Sequence, residues 1–593
     1  MAFFRRSTPL LFALTCALFT ASCEEETPPP PAAKPNGIML TVFHINDAPT
    51  SGKSNGIPPN STFTLYFSNA LDTLSAKENI AVKEKGYDPI ALNYQFFKGD
   101  SAVKLTPKTK LKTGTGYVVA INTALKSKVG TNPTYYVGIS VGTMMDTTDK
   151  FPRISDETLL DSIQYNTFQY FWKYGHPNSG LARERNTSGD LVTSGGSGMG
   201  IMAIIAGVNR GFITRAQGLA RIQKMASFLK NTAQTFHGAY PHWLDGNNGK
   251  VIPFSGDDNG GDLVETSYLI QGLLTARAYF DQSSSDETQL RSDITSIWEK
   301  VEWDWYTKSN SGSLYWHWSP SLGWKMNMTI RGWNECLITY VLAASSPTHP
   351  IDLATYQKGW ANNGSIKNGN SFYGFQLPLG ENLGGPLFFS HYSFLGLNPR
   401  GLQDRYANYF EQNVAHTLIN YKHCQENPLK FKGYGPGCWG LTASDNHLGY
   451  AAHSPTEDLG VISPTAALSA MPYSPEQSLT ALRNFFDVGA MRSLFPANDT
   501  TRPNASANGS GSANRYVNTN VNDNPIWGPY GFRDAFCAKE NWVANSYLAI
   551  DQGPIVVMIE NYRSGLFWNL FMGIPEIQNG LKTLDFTSPH IKP

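Results

Sequence analysis

The sequence predicts two domains of different class: a small β-sandwich over residues 37–149 and a mainly α-helical toroid over residues 154–593. Three observations carry that prediction. Apolar residues alternate with period two in the first region, as in "TFTLYFS", where Phe63, Leu65 and Phe67 share one face. After "DKFPRISDETLL" the period changes to that of a helix. The helical segments are joined by long connections rich in Gly, Trp, Asn and Pro, whereas plain bundles keep connections to about 2–8 residues and longer ones carry function.

In chain order, residues 1–22 read as a targeting segment. Arg5 and Arg6 precede an apolar run from Pro9 to Phe19, followed by "FTASC". The run is too short for a transmembrane helix, which needs ~20 apolar residues. It resembles a bacterial lipoprotein signal cleaved before Cys23, which would then carry the lipid, although Thr20 stands where Leu is commoner. Residues 23–36 contain "EEETPPPPAAKP", charged and then proline-rich, an extended tether with no means of forming a core. Acidic residues directly behind the cysteine resemble the surface-export signal of Bacteroidota lipoproteins. The expectation is an outer-membrane lipoprotein of a Gram-negative bacterium, on the cell surface or the periplasmic face; a secreted enzyme with a cleaved signal is the alternative.

From residue 37 the strand pattern recurs in "GYVVAIN" and "TYYVGIS" between turn-rich breaks, the spacing of a β-sandwich. The run "VKLTPKTKLKTGTGYVVAI" resembles the bacterial Ig-like domains that precede catalytic modules in surface glycosidases. That implies a spacer, with sugar binding as the alternative.

In the second region Leu160, Ile163 and Phe171 fall on one face of a helix ending near Trp172, and Leu269, Leu273, Ala276 and Phe280 do so at spacings of four, three and four. Further helices are expected over Ala216–Leu229, Cys336–Ala344, Pro399–Asn420 and Pro475–Phe486. The stretch at 496–525 is poor in apolar residues and is expected over the surface or at a cleft rim.

Composition narrows the chemistry. Lys plus Arg and Asp plus Glu are 47 each, so no net charge points to nucleic acid or an anionic membrane surface. Charged residues are 16% and aromatics 12%. Flat apolar rings with few full charges suit a neutral polyhydroxylated ligand such as a sugar; a large aromatic core is the plainer reading. No dinucleotide fingerprint, P-loop or nucleophile elbow is present. With Cys16 removed and Cys23 lipidated, Cys336, Cys424, Cys438 and Cys537 remain; they fit no zinc pattern, and Cys424 with Cys438 could close a loop.

A resemblance covers nearly everything after Phe151. The segments "FQYFWKYGHPNSGLARER", "GGSGMGIMAIIAGVNRGFITRAQGLARI", "GAYPHWLDG", "GGDLVETSYLIQGLLTARAYF", "WNECLITYVLAASSPTHPI", "CWGLTASD", "VISPTAALSAMPYSPEQSLTALRNF" and "DQGPIVVMIENYRSGLFW" resemble the bacterial glucoamylase-like proteins, and among them the β-1,2-glucanases of glycoside hydrolase family 144. The resemblance implies an (α/α)6 barrel and inverting hydrolysis of β-1,2-glucan, internal or sophorose-releasing. Alternatives are hydrolysis of another glucan on the same fold, a phosphorylase or transglycosylase, and a non-catalytic glycan-binding lipoprotein. No cofactor and no nucleic-acid partner are expected, and the chain is expected to act as a monomer.

The carboxylates follow from this. "SGDDNGGDLVETSY" places Asp257, Asp258, Asp262 and Glu265 within nine positions. Asp262 before an apolar run, with Glu265 three places on, reads as a helix N-cap with a capping-box acid. "DDNGGD" faintly resembles a calcium loop, but its Gly and a twelfth-position Glu are misplaced, so no metal is expected. The resemblance puts Asp258, Asp262 and Glu265 in the substrate cleft. Glu335 in "IRGWNECLITY" is expected in a helix's first turn behind Asn334, where Trp333 would lower the local dielectric and suit it as general acid. For the base, Asp534 in "GPYGFRDAFC" competes with Asp445 and with Asp551, which could merely form a turn. Glu560 is expected to pair with Arg563. His242, Trp243, Arg331, Trp333, Trp439 and Asp445 are the expected sugar contacts; each Trp could equally be core.

Overall fold

The computed structural model describes residues 37–50, 54–84, 88–144, 154–488 and 525–592. The targeting segment, Cys23, the tether and residues 496–524 lie outside them. The chain divides into two compact units between Met145 and Asp146.

The first unit is a sandwich of two sheets. Its strands are β1 (Leu40–Ile45), β2 (Ala48–Thr50), β3 (Ser54–Ile57), β4 (Phe63–Phe67), β5 (Ile80–Glu84), β6 (Leu92–Phe97), β7 (Ala102–Pro107), β8 (Gly116–Ile121) and β9 (Val137–Thr143). One sheet runs β2-β1-β4-β7-β6 and the other β3-β9-β8-β5, with only β3 and β9 parallel. A short helix, α1 (Thr73–Asn79), is capped by the Asp72 carboxylate. The alternation expected for β4 holds: Phe63, Leu65 and Phe67 are buried, in one core with Val119 and Ile121. The expectation fails at "TYYVGIS". Tyr135 and Tyr136 are 65% and 55% exposed, and β9 begins only at Val137, after a bend at Thr134 and Tyr135.

The second unit is an (α/α)6 barrel. Its helices are α2 (Asp156–Lys173), α3 (Ser194–Asn209), α4 (Arg215–Asn231), α5 (Leu263–Tyr279), α6 (Ser285–Glu299), α7 (Leu337–Ser345), α8 (Leu353–Lys358), α9 (Tyr409–Glu426), α10 (Pro464–Ser469), α11 (Pro475–Arg483), α12 (Ala549–Ser564), α13 (Leu566–Met572) and α14 (Pro575–Thr583). The inner ring is α3, α5, α7, the 3-10 turns Leu387–Ser390 and Ser393–Leu395, α10 and α12. In this ring α3 packs on α5 and α12, α5 on α7, the 393–395 turn on both α7 and α12, and α10 on α12. Outer helices such as α2 and α4 bury one face, as their periodicity requires. Inner ones are buried nearly all round: every residue from Leu263 to Ala276 in α5 is buried.

Glycine makes the inner ring possible. A Cβ on Gly198 of α3 would lie 2.1 Å from the carbonyl oxygen of Tyr268, and one on Gly272 of α5 would lie 2.2 Å from that of Gly198. The two backbones touch, which no larger side chain permits.

Three further expectations are corrected. The segment from Pro399 does not become helical until Tyr409, because Asp404 accepts from the amides of Tyr406 and Ala407 in a turn and Asn408 then caps α9. Glu560 is buried against Arg210 (2.6 Å), while Arg563 pairs with Asp161 and Glu157. Cys336, Cys424, Cys438 and Cys537 are all buried and unpaired, so no loop is closed between Cys424 and Cys438.

Candidate active site

The acidic run splits between Asp257 and Asp258. Asp257 points outward to Lys325 (2.6 Å), while Asp258, Asp262 and Glu265 are buried. The glycines between Asp258 and Asp262 let the loop press onto its neighbours: a Cβ on Gly260 would meet the Trp318 carbonyl at 2.2 Å, and one on Gly261 the Tyr306 hydroxyl at 2.3 Å. Gly261 and Asp262 then pair with Trp318 and His317 as a two-residue ribbon.

Asp262 is the N-cap expected for α5. Its Oδ1 accepts from the amides of Val264 (3.0 Å) and Glu265 (2.9 Å), and its Oδ2 from Trp316 Nε1 (3.1 Å) and His242 Nδ1 (3.2 Å). Glu265 does not close a capping box. Its Oε2 instead crosses to the N-terminus of α3, accepting from Gly195 N at 2.9 Å, and its Oε1 lies 3.9 Å from His242 Nε2. A Cβ on Gly195 would stand 2.4 Å from that carboxylate, so the glycine is what admits it. Asp258 has one oxygen 3.5 Å from His317 Nε2, and its buried Oδ2 has no protein partner.

His242 holds this group together. Burial alone would lower its pKa, but Glu265, Asp262 and Asp258 outweigh that and raise it to about 9, leaving the ring cationic at neutral pH. Phe254 stacks on the ring at 4.2 Å, and Trp243 meets both edge-on. Burial, reinforced by Asp262, raises Asp258 to about 7, and burial likewise raises Glu265. His242, Asp258 and Asp262 present ligand atoms within 4.8 Å of one another. The Asp262 oxygens and His242 Nδ1 are already engaged in hydrogen bonds with one another and with their neighbours, so the group reads as a proton-sharing network.

Glu335 lies in the turn just before α7, one step earlier than expected, with the Asn334 Oδ1 accepting from Cys336 N at 2.9 Å. Its carbonyl accepts from Tyr268 and Ser393, which fixes the backbone between α5 and the inner 3-10 turns. The side chain is half-buried, and burial, with help from Glu265 and Asp262, raises it to about 7. Trp333 packs inward against Trp360, Phe394, Tyr409 and His416 and is 6% exposed. Trp439 is also core, fully buried with Nε1 donating to the Gln477 carbonyl. Both indoles are buried in the core, so neither offers a face to a ligand. Arg331 is exposed and Trp243 half-buried.

The candidate bases form a second buried group. Asp534 is 2% exposed; its Oδ2 accepts from Asp445 N at 2.7 Å, and burial, then Asp445, raises it to about 7. Asp445 sits on the hairpin Ala443–Asn446/Gly449–Ala452, held by Arg185 (3.1 Å) and Ser546. Asp551 forms no turn; it lies buried in the first turn of α12, in hydrogen-bond contact with Asp534. A cavity of ≈ 520 Å³ opens beside this group, lined by Arg185, Asp445, Tyr450, Trp542 and Ser546.

Tyr392, 5% exposed on the inner turns, lies within electrostatic reach of Glu335 and Glu265 on one side and of Asp551 and Tyr450 on the other. It ties the two acid groups to one region of the barrel. Sequence reasoning missed Tyr392, Trp316, His317 and Gly195. Only the Gly-rich start of α3 carried a visible signal; the others announce themselves by contact alone.

Comparison with known proteins agrees with this arrangement. The family description "Glycoamylase" matches residues 327–493 and 506–575, and "Bacterial Ig-like domain" matches 41–140. The chain is 45% identical over 454 residues to the exo β-1,2-glucooligosaccharide sophorohydrolase (non-reducing end) of Parabacteroides distasonis, a match that takes in 73% of this chain and spans only 58% of that protein. Among solved structures, the endo-β-1,2-glucanase of Chitinophaga pinensis, in complex with sophorotriose and glucose, is 50% identical with a TM-score of 0.66, over 74% of this chain and 100% of that one. A β-1,2-glucanase of P. distasonis is 37% identical with a TM-score of 0.65, over 94% of this chain and 74% of that one. With the (α/α)6 barrel, the buried acids around it and half-identity over the whole of a solved relative, the chain belongs to the bacterial glucoamylase-like family, glycoside hydrolase family 144.

Proposed function

We propose that the chain is a glycoside hydrolase that cleaves β-1,2-glucan with inversion. The observation that carries the reading is Glu335: a half-buried carboxyl raised to about 7 keeps its proton near neutrality and so can donate it. The relatives' β-1,2-glucan substrates supply the linkage. Glu335 protonates the bridging oxygen. Asp534 takes the proton of the attacking water through an intervening hydroxyl, since its own oxygens are enclosed, while the new C–O bond forms on the far face of the anomeric carbon. The cationic His242 and the buried Asp258, Asp262 and Glu265 offer donors and acceptors to sugar hydroxyls, with Trp243 and Arg331 at their margin.

A proton NMR time course on β-1,2-glucan tests this. The α-anomer should appear first; first release of the β-anomer, or no cleavage, overturns the reading, and a panel of other glucans tests the linkage. Opening of a cyclic β-1,2-glucan marks an internal cutter, whereas release of sophorose from linear chains alone marks an end-acting one. The same reading has the enzyme act as a monomer, held by lipid on Cys23 to an outer membrane, supported by the signal-like first 22 residues and the acidic tether.

A further inference from the structure

Asp534 and Asp551 face each other across the seam between the 531–537 loop and α12. Both are 2% exposed. Asp534 Oδ1 and Asp551 Oδ2 are each buried without a donor, yet the two carboxyl groups are in hydrogen-bond contact. Two carboxylate oxygens cannot bond to each other unless one carries a proton, and two buried like charges in contact cannot both persist.

The surroundings decide which one carries it. Asp534 receives an amide hydrogen from Asp445 at 2.7 Å, which favours its ionised form. Asp551 gains no comparable donor: its amide goes to the Leu548 carbonyl and its carbonyl accepts from Thr465, with no protein donor to its carboxyl group among the described residues. The other charged or titratable groups facing the pair are Asp445 and Tyr450 on the hairpin, Glu184 and Arg185 on the loop before α3, and Tyr392 on the inner turns. Arg185 is bound to Glu184 and Asp445, and its charge still favours the ionised form of Asp534, which points the same way as the Asp445 amide.

We infer that Asp551 is a positioning residue that stays protonated near neutral pH and donates its hydrogen to Asp534, so that the pair holds one proton and one charge and Asp534 remains the acceptor. The kinetic consequence rests on Asp534 acting as the base. In turnover the pair gains the proton lost by water and passes it to solvent, while Glu335, having given its own proton to the leaving oxygen, takes one back. Atoms and charge balance with water as the only co-substrate.

Two measurements on the full chain test this. In infrared difference spectra at pH 7, wild type minus D551N should contain the C=O band of a protonated carboxylic acid. D534N should lose the same band, because its amide would donate to an ionised Asp551. Absence of the band in wild type overturns the inference, whatever the activity of either variant. In pH profiles of kcat/KM, D551A removes a donor from Asp534, so the acid limb should move up by about one pH unit, a tenfold loss on that limb; D551N, which keeps an N–H donor, should bring it back. An acid limb that stays put, or moves down as loss of a repelling charge requires, also overturns it. Retained turnover in D534N would instead sink only the assignment of Asp534 as base and leave the infrared result to decide the shared proton.

Discussion

Replacing Glu335 by Gln separates chemistry from stability. The amide keeps the volume of the carboxyl but has no acidic proton, so loss of general acid catalysis should lower kcat on β-1,2-glucan by about 10²–10⁴-fold. A substrate with a dinitrophenyl leaving group needs no protonation and should lose far less. The stability effect has the opposite sign. Burial lifts Glu335 from 4.5 to about 7, so the folded chain holds its proton more tightly than the unfolded chain does. That contribution is complete below pH 4.5 and is lost as pH rises through 7, up to ~3 kcal/mol for such a displacement. The E335Q variant lacks this loss, so its melting temperature should match wild type near pH 4.5 and exceed it by a few degrees at pH 8. Calorimetry at both pH values, with initial rates on polymer and aryl substrate, checks the two halves. Turnover within tenfold of wild type on polymer would remove Glu335 from the proton-donating role, and equal melting at pH 8 would refute the argument from burial.

Gly198→Ala should destabilise the chain by about 1–3 kcal/mol or more, read in urea unfolding, because its Cβ would stand 2.1 Å from a backbone carbonyl that cannot swing away; Gly256→Ala, with nothing within 4 Å, should be neutral. His242, raised to about 9 against an ordinary 6.5, adds stability that is full below pH 6.5 and lost as pH rises through 9. The H242Q variant should therefore show a flatter melting-temperature profile across that window, together with a lower kcat/KM; a profile parallel to wild type would mean that the ring carries no charge. Cys23→Ala should abolish incorporation of labelled palmitate and release the chain from the membrane fraction, and unchanged labelling would end the lipoprotein assignment.

Sequence alone determined what depends on local order. Period two marked β4, whose Phe63, Leu65 and Phe67 line the sandwich core, and period 3.6 marked α2, because an element with one buried face writes that face into its spacing. Asp262 was legible as a cap for the same reason: the amides that it binds are two and three residues away. Tertiary structure decided everything that depends on which segments meet. Inner helices such as α3 and α5 are buried on all sides: the spacing of Leu269, Leu273, Ala276 and Phe280 marked α5 as a helix but not its all-round burial, and the crossing of the two is set by glycines whose purpose appears only when two backbones touch. Trp333 and Trp439 have the composition of a sugar platform and the surroundings of a core, and no spacing distinguishes the two. Glu265 reaches across to Gly195, 70 residues away, and Asp445 gives its amide to Asp534 across 89; a carboxyl's acidity is fixed by such neighbours and by exclusion of water, neither of which is a property of the residues beside it in the chain.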